Sequence, residues 1–154
     1  MGDPPKEIEG FNIDTRTLNS GEVFVAIKTD QRDGHDFIEA AKNNGASAAL
    51  VSKYQPQVDL PQLIVKDAPK ALRELAIQIR IEYSGTVIGV TGSCGKTSTK
   101  ELLGVLLGDQ ALKTPGNFNN HLGVPLTLLQ LRSEHSHAVI EVGMNTPGEI
   151  ASLA

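Results

Sequence analysis

Residues 87–99 read VIGVTGSCGKTST. An apolar run of strand length leads into a turn that contains two glycines, and the turn opens a helical pattern. Glycines let the backbone curl so that several N–H groups point at one anion, and a helix N-terminus adds partial positive charge. Lys96 can reach the outer phosphates of a nucleotide, and the Thr97 hydroxyl can bind Mg²⁺. This order of strand, loop and helix therefore predicts an ATP phosphate-binding loop.

The match to the commonest phosphate-loop pattern, G-x-x-x-x-G-K-[ST], is incomplete because Val90 stands where the first glycine is expected. A plain strand-to-helix turn is the alternative, but it leaves the Lys96-Thr97 pair unexplained. A dinucleotide site is disfavoured because G-x-G-x-x-G is absent. The predicted cofactor-binding residues are Gly92, Ser93, Cys94, Gly95, Lys96, Thr97 and Ser98.

Strand-like and helical patterns alternate along the chain, which is typical of layered α/β folds. We predict a small N-terminal α/β domain over residues 1–84 and, after the joint at Ser84-Gly85, a truncated P-loop-type α/β domain with a mostly parallel sheet over residues 85–154. The predicted strands cover residues 23–27, 48–51, 63–65, 87–91 and 138–142.

Three helices have recognisable ends. The first is predicted from about Asp36 to Asn44, and Asp67 is expected to cap the second. The third follows the phosphate loop and should end at Gly108, with an apolar stripe of Leu102, Leu103, Leu106 and Leu107. Residues 146–149, TPGE, predict the start of a further helix.

Composition limits the partners of the chain. It has 154 residues and a formal net charge of -4, so bulk charge gives it no reason to bind nucleic acid or an anionic membrane. Cys94 is the one cysteine, which fits a reducing compartment, and no apolar run approaches the roughly 20 residues that span a bilayer. We expect a cytoplasmic protein that binds neither nucleic acid nor membrane.

Several short motifs resemble those of the Mur ligases and related synthetases. Besides the phosphate loop, TPGNFNN at residues 114–120 leads into GVPLT, and EVGMN at residues 141–145 leads into PGEI. Both are similar to the MurF type within that family. The predicted N-terminal domain also resembles that of the family, through DTR at 14–16, GEVFVA at 21–26 and DGHDFI at 33–38. The resemblance covers nearly the whole chain from about Phe11.

The resemblance implies an ATP-dependent ligase of peptidoglycan precursor synthesis, which adds D-alanyl-D-alanine to UDP-N-acetylmuramoyl-tripeptide through an acyl phosphate. ATP and Mg²⁺ would be its cofactors. Lys96 and Glu141 would be catalytic, and Thr97 together with Glu141 would hold the Mg²⁺. A glutamate on a strand is ordinarily just solvent-facing, but Glu141 lies near the carboxyl end of its strand, where open α/β sheets bind ligands.

The resemblance also implies substrate contacts in two places. Thr15, Arg16 and His35 of the N-terminal domain would bind the UDP end. Composition alone favours surface roles for these residues, since a lone arginine is ordinarily part of a weak surface ion pair. Near the reacting carboxylate, the implied substrate residues are Asn117, Asn119 and Asn120, although asparagine is also common in purely structural turns.

Three functions compete at this point. The first is the ligase, for which the chain is expected to be a truncated portion that is inactive alone. The second is a non-catalytic module that binds a nucleotide or a UDP-sugar, and another Mur-type ligase is a variant of the first. The third is an unrelated kinase or ATPase with a similar loop, which the asparagine-rich loop and the EVG motif argue against.

Overall fold

A computed structural model describes residues 7–144 together with Pro5, Gly148 and Ile150. The chain divides into two compact units, Met1–Ala71 (unit 1) and Leu72–Ala154 (unit 2). This division by contacts falls inside a helix, whereas the predicted joint at Ser84-Gly85 lies just after that helix. The assignment of residues 1–84 and 85–154 to two functional domains stays a prediction.

Unit 1 is a parallel four-stranded sheet in the order β1-β2-β3-β4. A 3-10 helix, Gly34–Phe37, runs into the short helix α1 between β2 and β3. The core forms where apolar residues of β2, β3 and α1 meet, with Phe24, Ile38 and Val51 fully or almost fully buried. The elements are β1 Gly10–Asn12, β2 Glu22–Val25, α1 Ile38–Asn43, β3 Ala48–Val51 and β4 Gln62–Ile64.

Helix α2, Ala68–Glu82, begins in unit 1 and continues into unit 2. The predicted cap is confirmed, because the Asp67 carboxylate accepts a hydrogen bond from the Lys70 amide at 2.9 Å. Toward its end, Ile79 and the following Tyr83 pack against the core of unit 2, which is formed by Val124, Leu131, Ala138, Ile140 and Val142.

Unit 2 has a parallel three-stranded sheet in the order β5-β7-β6 among the described residues. Helix α3 and the short helix α4 lie between these strands in the chain. The predicted parallel arrangement of β5 and β7 is confirmed, and so is the α/β fold class. The elements are β5 Thr86–Val90, α3 Lys96–Leu107, β6 Ala111–Lys113, α4 Gly123–Leu128 and β7 His137–Glu141.

The predicted apolar stripe of α3 is half wrong. The helix ends at Gly108 as expected, but Leu102 and Leu106 remain 60% and 72% exposed. Lys100 is instead fully buried, where oxygen atoms of Gly116, Glu101 and Glu141 surround its ammonium, and Leu103 is half-buried. The buried side of α3 therefore includes a charged residue in its second turn.

The helix predicted from residues 146–149 lies outside the described residues, since Thr146, Pro147 and Glu149 are not among them. No helix in the described part of the chain is both long enough and apolar enough to cross a lipid bilayer.

Candidate phosphate-binding and metal site

The glycine-rich loop joins the carboxyl end of β5 to the first turn of α3. Gly92 and Gly95 have φ angles of +141° and +76°, a region that other residues rarely adopt. Gly95 is the N-cap of α3, and a Cβ atom added there would meet no protein atom within 4 Å. The loop backbone is therefore open to the close approach of an anion at the positive end of a 12-residue helix.

The side chains of the loop agree with that geometry. Ser93, Cys94, Thr97 and Ser98 are exposed, and Lys96 is half-buried. The Lys96 ammonium donates a hydrogen bond to the Gly92 carbonyl oxygen at 2.7 Å, so it arches over the loop. A cation thus lies at the same turn as the N-terminus of α3.

Glu141 reaches this turn because β5 and β7 are parallel neighbours. Its Cα pairs in register with that of Val90, the last residue of β5 before the loop. The side chain is 1% exposed, and its Oε1 atom accepts hydrogen bonds from Asn119 Nδ2 at 2.8 Å and from Thr97 Oγ1 at 3.4 Å. The structure therefore brings together Thr97 and Glu141, the two predicted Mg²⁺ ligands.

The asparagine-rich loop, residues 114–120, packs beside the same carboxylate. Asn119 bonds Glu141 through its side chain, and its carbonyl oxygen accepts the Gly143 amide at 2.7 Å. The Asn120 side chain instead accepts the amides of Leu122 and Gly123, so it caps the start of α4. Asn117 is exposed. Substrate contact by these three asparagines stays a prediction, and for Asn119 and Asn120 the observed contacts are structural.

In unit 1, Arg16 is paired with Asp14 at the surface. The Asp14 carboxylate accepts hydrogen bonds from the Arg16 amide at 3.0 Å and from Nε at 2.9 Å. The Arg16 hydrogen bonds lower the pKa of Asp14 to about 2. Thr15 is half-buried, and its carbonyl oxygen accepts a bond from the Asn44 side chain. The role of both residues at the UDP end stays a prediction.

His35 belongs to the 3-10 helix, and its side chain reaches the carboxyl end of β3. Its Nδ1 atom is 2.6 Å from Asp33 Oδ1, and Nε2 accepts the amides of Ser52 and Lys53 at 3.1 and 3.2 Å. Because both amides donate to Nε2, the ring proton is on Nδ1 and bonds Asp33. Hydrogen bonds from His35 lower the pKa of Asp33. Substrate contact by His35 stays a prediction, and the ring has no free nitrogen for it.

We expect His35→Ala to destabilise unit 1 by about 1 to 3 kcal/mol, because two amides lose their buried acceptor. The measurement is urea unfolding, followed together with hydrogen exchange at the Ser52 and Lys53 amides. His121→Ala, at an exposed histidine of unit 2, is the matched control and should leave both readings unchanged. Equal stability of the two variants would contradict a structural role for the His35 ring.

Two family models match this chain in succession. The model described as "Mur ligase family, catalytic domain" matches residues 7–80, and "Mur ligase middle domain" matches residues 90–154. The chain belongs to the Mur ligase family.

Curated and solved Mur ligases of one type resemble this chain. It is 48% identical over 146 residues to the UDP-N-acetylmuramoyl-tripeptide–D-alanyl-D-alanine ligase of Escherichia coli, covering 94% of this chain and 32% of that protein. The Bacillus subtilis enzyme of the same name is 41% identical, covering 96% and 33%. The chain therefore spans about a third of the length of these relatives.

Two solved structures of MurF ligases are also similar to this chain. MurF from Acinetobacter baumannii superposes with a TM-score of 0.84 at 40% identity, over 97% of this chain and 33% of that one. The Thermotoga maritima MurF ligase in complex with ADP gives 0.76 at 39% identity, over 94% and 34%. Both structures therefore superpose on nearly the whole of this chain.

The donor set of this Mur ligase site suits Mg²⁺. The buried Glu141 carboxylate and the Thr97 hydroxyl are hard oxygen ligands, and Glu141 Oε2 accepts no hydrogen bond. Within the described residues, no group of three or more His, Cys, Asp or Glu could hold a metal. Mg²⁺ commonly uses one or two protein ligands and completes its shell with water and phosphate oxygens, so a sparse set fits it.

Two further residues of this site were not predicted from the sequence. Lys100 is fully buried beside Glu141, and the Thr114 hydroxyl accepts the Glu141 amide at 2.8 Å. A signal for Lys100 was available, because it lies four residues after Lys96 and three after Thr97, on the same side of α3. Thr114 has no such signal, since its contact depends on the pairing of distant strands.

Proposed function

We propose that this chain provides the ATP phosphate site and the UDP-substrate domain of a ligase that joins D-alanyl-D-alanine to UDP-N-acetylmuramoyl-tripeptide. The observation that carries the proposal is the buried Glu141 carboxylate at the Thr97 hydroxyl, directly beside an open glycine loop. The names of the Escherichia coli and Bacillus subtilis relatives, 48% and 41% identical, supply the substrates.

The chemistry begins with transfer of the γ-phosphoryl group of ATP to the substrate carboxylate, which releases ADP and leaves an acyl phosphate. The amine of the dipeptide then forms the amide bond while phosphate leaves and the nitrogen loses a proton. The loop amides and Lys96 bind and neutralise the phosphates, where charge builds during transfer. Thr97 and Glu141 would hold Mg²⁺, which supplies further neutralisation.

Residues outside the phosphate site have supporting roles in this proposal. Asn119 and Thr114 orient the Glu141 side chain and backbone, respectively. Thr15, Arg16 and His35 belong to the unit that would hold the UDP end, and Asn117, Asn119 and Asn120 to the loop near the reacting carboxylate. The single exposed cysteine and the cytosolic supply of ATP and UDP-linked precursors make a cytoplasmic location part of the same proposal.

The test uses a chimera in which this chain replaces the corresponding third of the Escherichia coli relative. We expect phosphate release and amide product together when ATP, Mg²⁺, UDP-N-acetylmuramoyl-tripeptide and D-alanyl-D-alanine are present. Omission of the dipeptide, or its replacement by single amino acids, should abolish the product. A folded chimera that binds ATP but yields no product would instead favour a binding module, and product from a single amino acid would indicate another Mur-type ligase.

A further inference from the structure

Lys100 is the one residue of the described part of α3 that is both charged and fully buried. Its ammonium donates to the Gly116 carbonyl oxygen at 2.6 Å and lies 3.2 Å from Glu101 Oε1 and 3.5 Å from Glu141 Oε2. Three oxygen atoms, on α3, β7 and the asparagine-rich loop, therefore surround the ammonium. A buried lysine is costly unless it is compensated in this way.

The two oxygens of Glu141 are held by different partners. Oε1 faces Asn119 and Thr97, whereas Oε2 accepts no hydrogen bond and has only the charge of Lys100 beside it. Rotation of the carboxylate out of this plane would move one oxygen away from Thr97 and Asn119 and the other away from Lys100. The ammonium of Lys100 opposes that rotation because it attracts the oxygen on its own side, and this keeps the other oxygen directed at the Thr97 hydroxyl.

Lys100 also holds the middle of the asparagine-rich loop. Thr114 anchors the start of this loop to β7, and Asn119 anchors its end to Gly143. Between these anchors, Gly116 has a φ angle of +49°, and a Cβ atom added there would meet no protein atom within 4 Å. The hydrogen bond from Lys100 to the Gly116 carbonyl oxygen therefore connects α3 to a turn that is otherwise open.

From these contacts we infer that Lys100 is a positioning residue, which sets the orientation of the Glu141 carboxylate and the place of the asparagine-rich loop relative to the phosphate loop. The inference rests on the proposed function in so far as Glu141 is taken to bind Mg²⁺. Lys100 touches neither nucleotide nor metal in this account. Its effect passes through Glu141 and Gly116.

The test compares Lys100→Met with the parent 154-residue chain in solution. This substitution keeps a side chain of similar length and removes its charge. We expect the Gly143 amide, which bonds Asn119, to exchange hydrogen about tenfold faster in the variant. We also expect the gain in ATP affinity on adding Mg²⁺, measured by NMR titration, to fall about tenfold. The affinity for ATP without Mg²⁺ should be unchanged, because the phosphate loop is intact.

Two variants control this comparison. Lys113→Met removes the other ammonium in contact with Glu101 but reaches neither Glu141 nor Gly116, so it should match the parent in both readings. Lys100→Arg keeps the charge and should restore most of the Mg²⁺ effect. If Lys100→Met does not fold, the comparison is made between Glu141→Gln and the double variant Glu141→Gln/Lys100→Met. The double variant removes both charges of the ion pair, so neither is left buried without its partner.

The outcomes separate the two proposals. If the parent gains ATP affinity with Mg²⁺, and Lys100→Met stays within twofold of it in both readings, the inference about Lys100 is overturned. The inference is also overturned if the Gly143 amide exchanges hydrogen at the same rate in Glu141→Gln and in the double variant. If the parent shows no ATP binding at all, the phosphate-site proposal fails, and the exchange rates alone then decide whether Lys100 holds the loop.

Discussion

Lys96→Ala, introduced into the chimeric ligase described above, is expected to lower kcat by about a hundredfold or more. The Lys96 ammonium lies over the loop, 2.7 Å from the Gly92 carbonyl oxygen, where the outer phosphates of ATP would gather. Charge accumulates there during phosphoryl transfer, and a cation at that place stabilises the transition state more than the ground state. The measurement is steady-state phosphate release at saturating ATP, with the amide product followed in parallel.

The control for this loss is Lys66→Ala, at an exposed lysine of unit 1. It removes the same charge and a similar length of side chain away from the phosphate loop, so its kcat should equal that of the parent. Lys96→Arg adds a second comparison, because it keeps the charge and changes the shape of the donor. A kcat for Lys96→Ala within about twofold of the parent, worth only about 0.4 kcal/mol, would exclude a catalytic role.

Sequence patterns predicted the parts of the site that are local in the chain. The phosphate loop is a continuous segment, and its glycines, lysine and threonine are ordered by the turn from β5 into α3. The role of Glu141 was implied by the family resemblance, and the general rule that ligand sites form at the carboxyl ends of parallel strands favoured it. The parallel pairing of β5 and β7, with Val90 opposite Glu141, confirms the strand arrangement on which that rule depends.

The shortest strands and helices could not be predicted from the periodicity of apolar residues. Strands β1 and β6 have three residues each, too few for an alternating pattern, and α4 contains Gly123 and Pro125 in its first turn. A proline is tolerated there because the first turn of a helix does not need its N–H groups. The Asn120 side chain accepts the amides of Leu122 and Gly123 at the start of this short helix.

The buried ion pair was the larger omission. A lysine in an amphipathic helix is ordinarily assigned to the exposed side, and the leucines near Lys100 encouraged a stripe through Leu102 and Leu106. The structure rotates α3 so that Lys100 faces Glu141 from β7, a contact between residues 41 positions apart. Only the three-dimensional arrangement of α3, β7 and the asparagine-rich loop shows the three oxygen partners that make its burial tolerable.

Glu141→Gln in the same chimera is expected to lower kcat by about a hundredfold and to raise the Mg²⁺ concentration needed for half-maximal activity. The substitution keeps the size of the side chain and an oxygen that can accept from Asn119, so the fold around β7 should survive. It removes the negative charge that faces Thr97 and would attract the cation. The measurement is kcat as a function of Mg²⁺ concentration at saturating ATP.

Glu101→Gln is the control, because Glu101 lies at the edge of the same ion network and the substitution leaves Glu141 and Thr97 in place. It should retain the parent's Mg²⁺ dependence. A Glu141→Gln variant whose kcat and Mg²⁺ requirement both equal those of the parent would show that this carboxylate does not hold the metal.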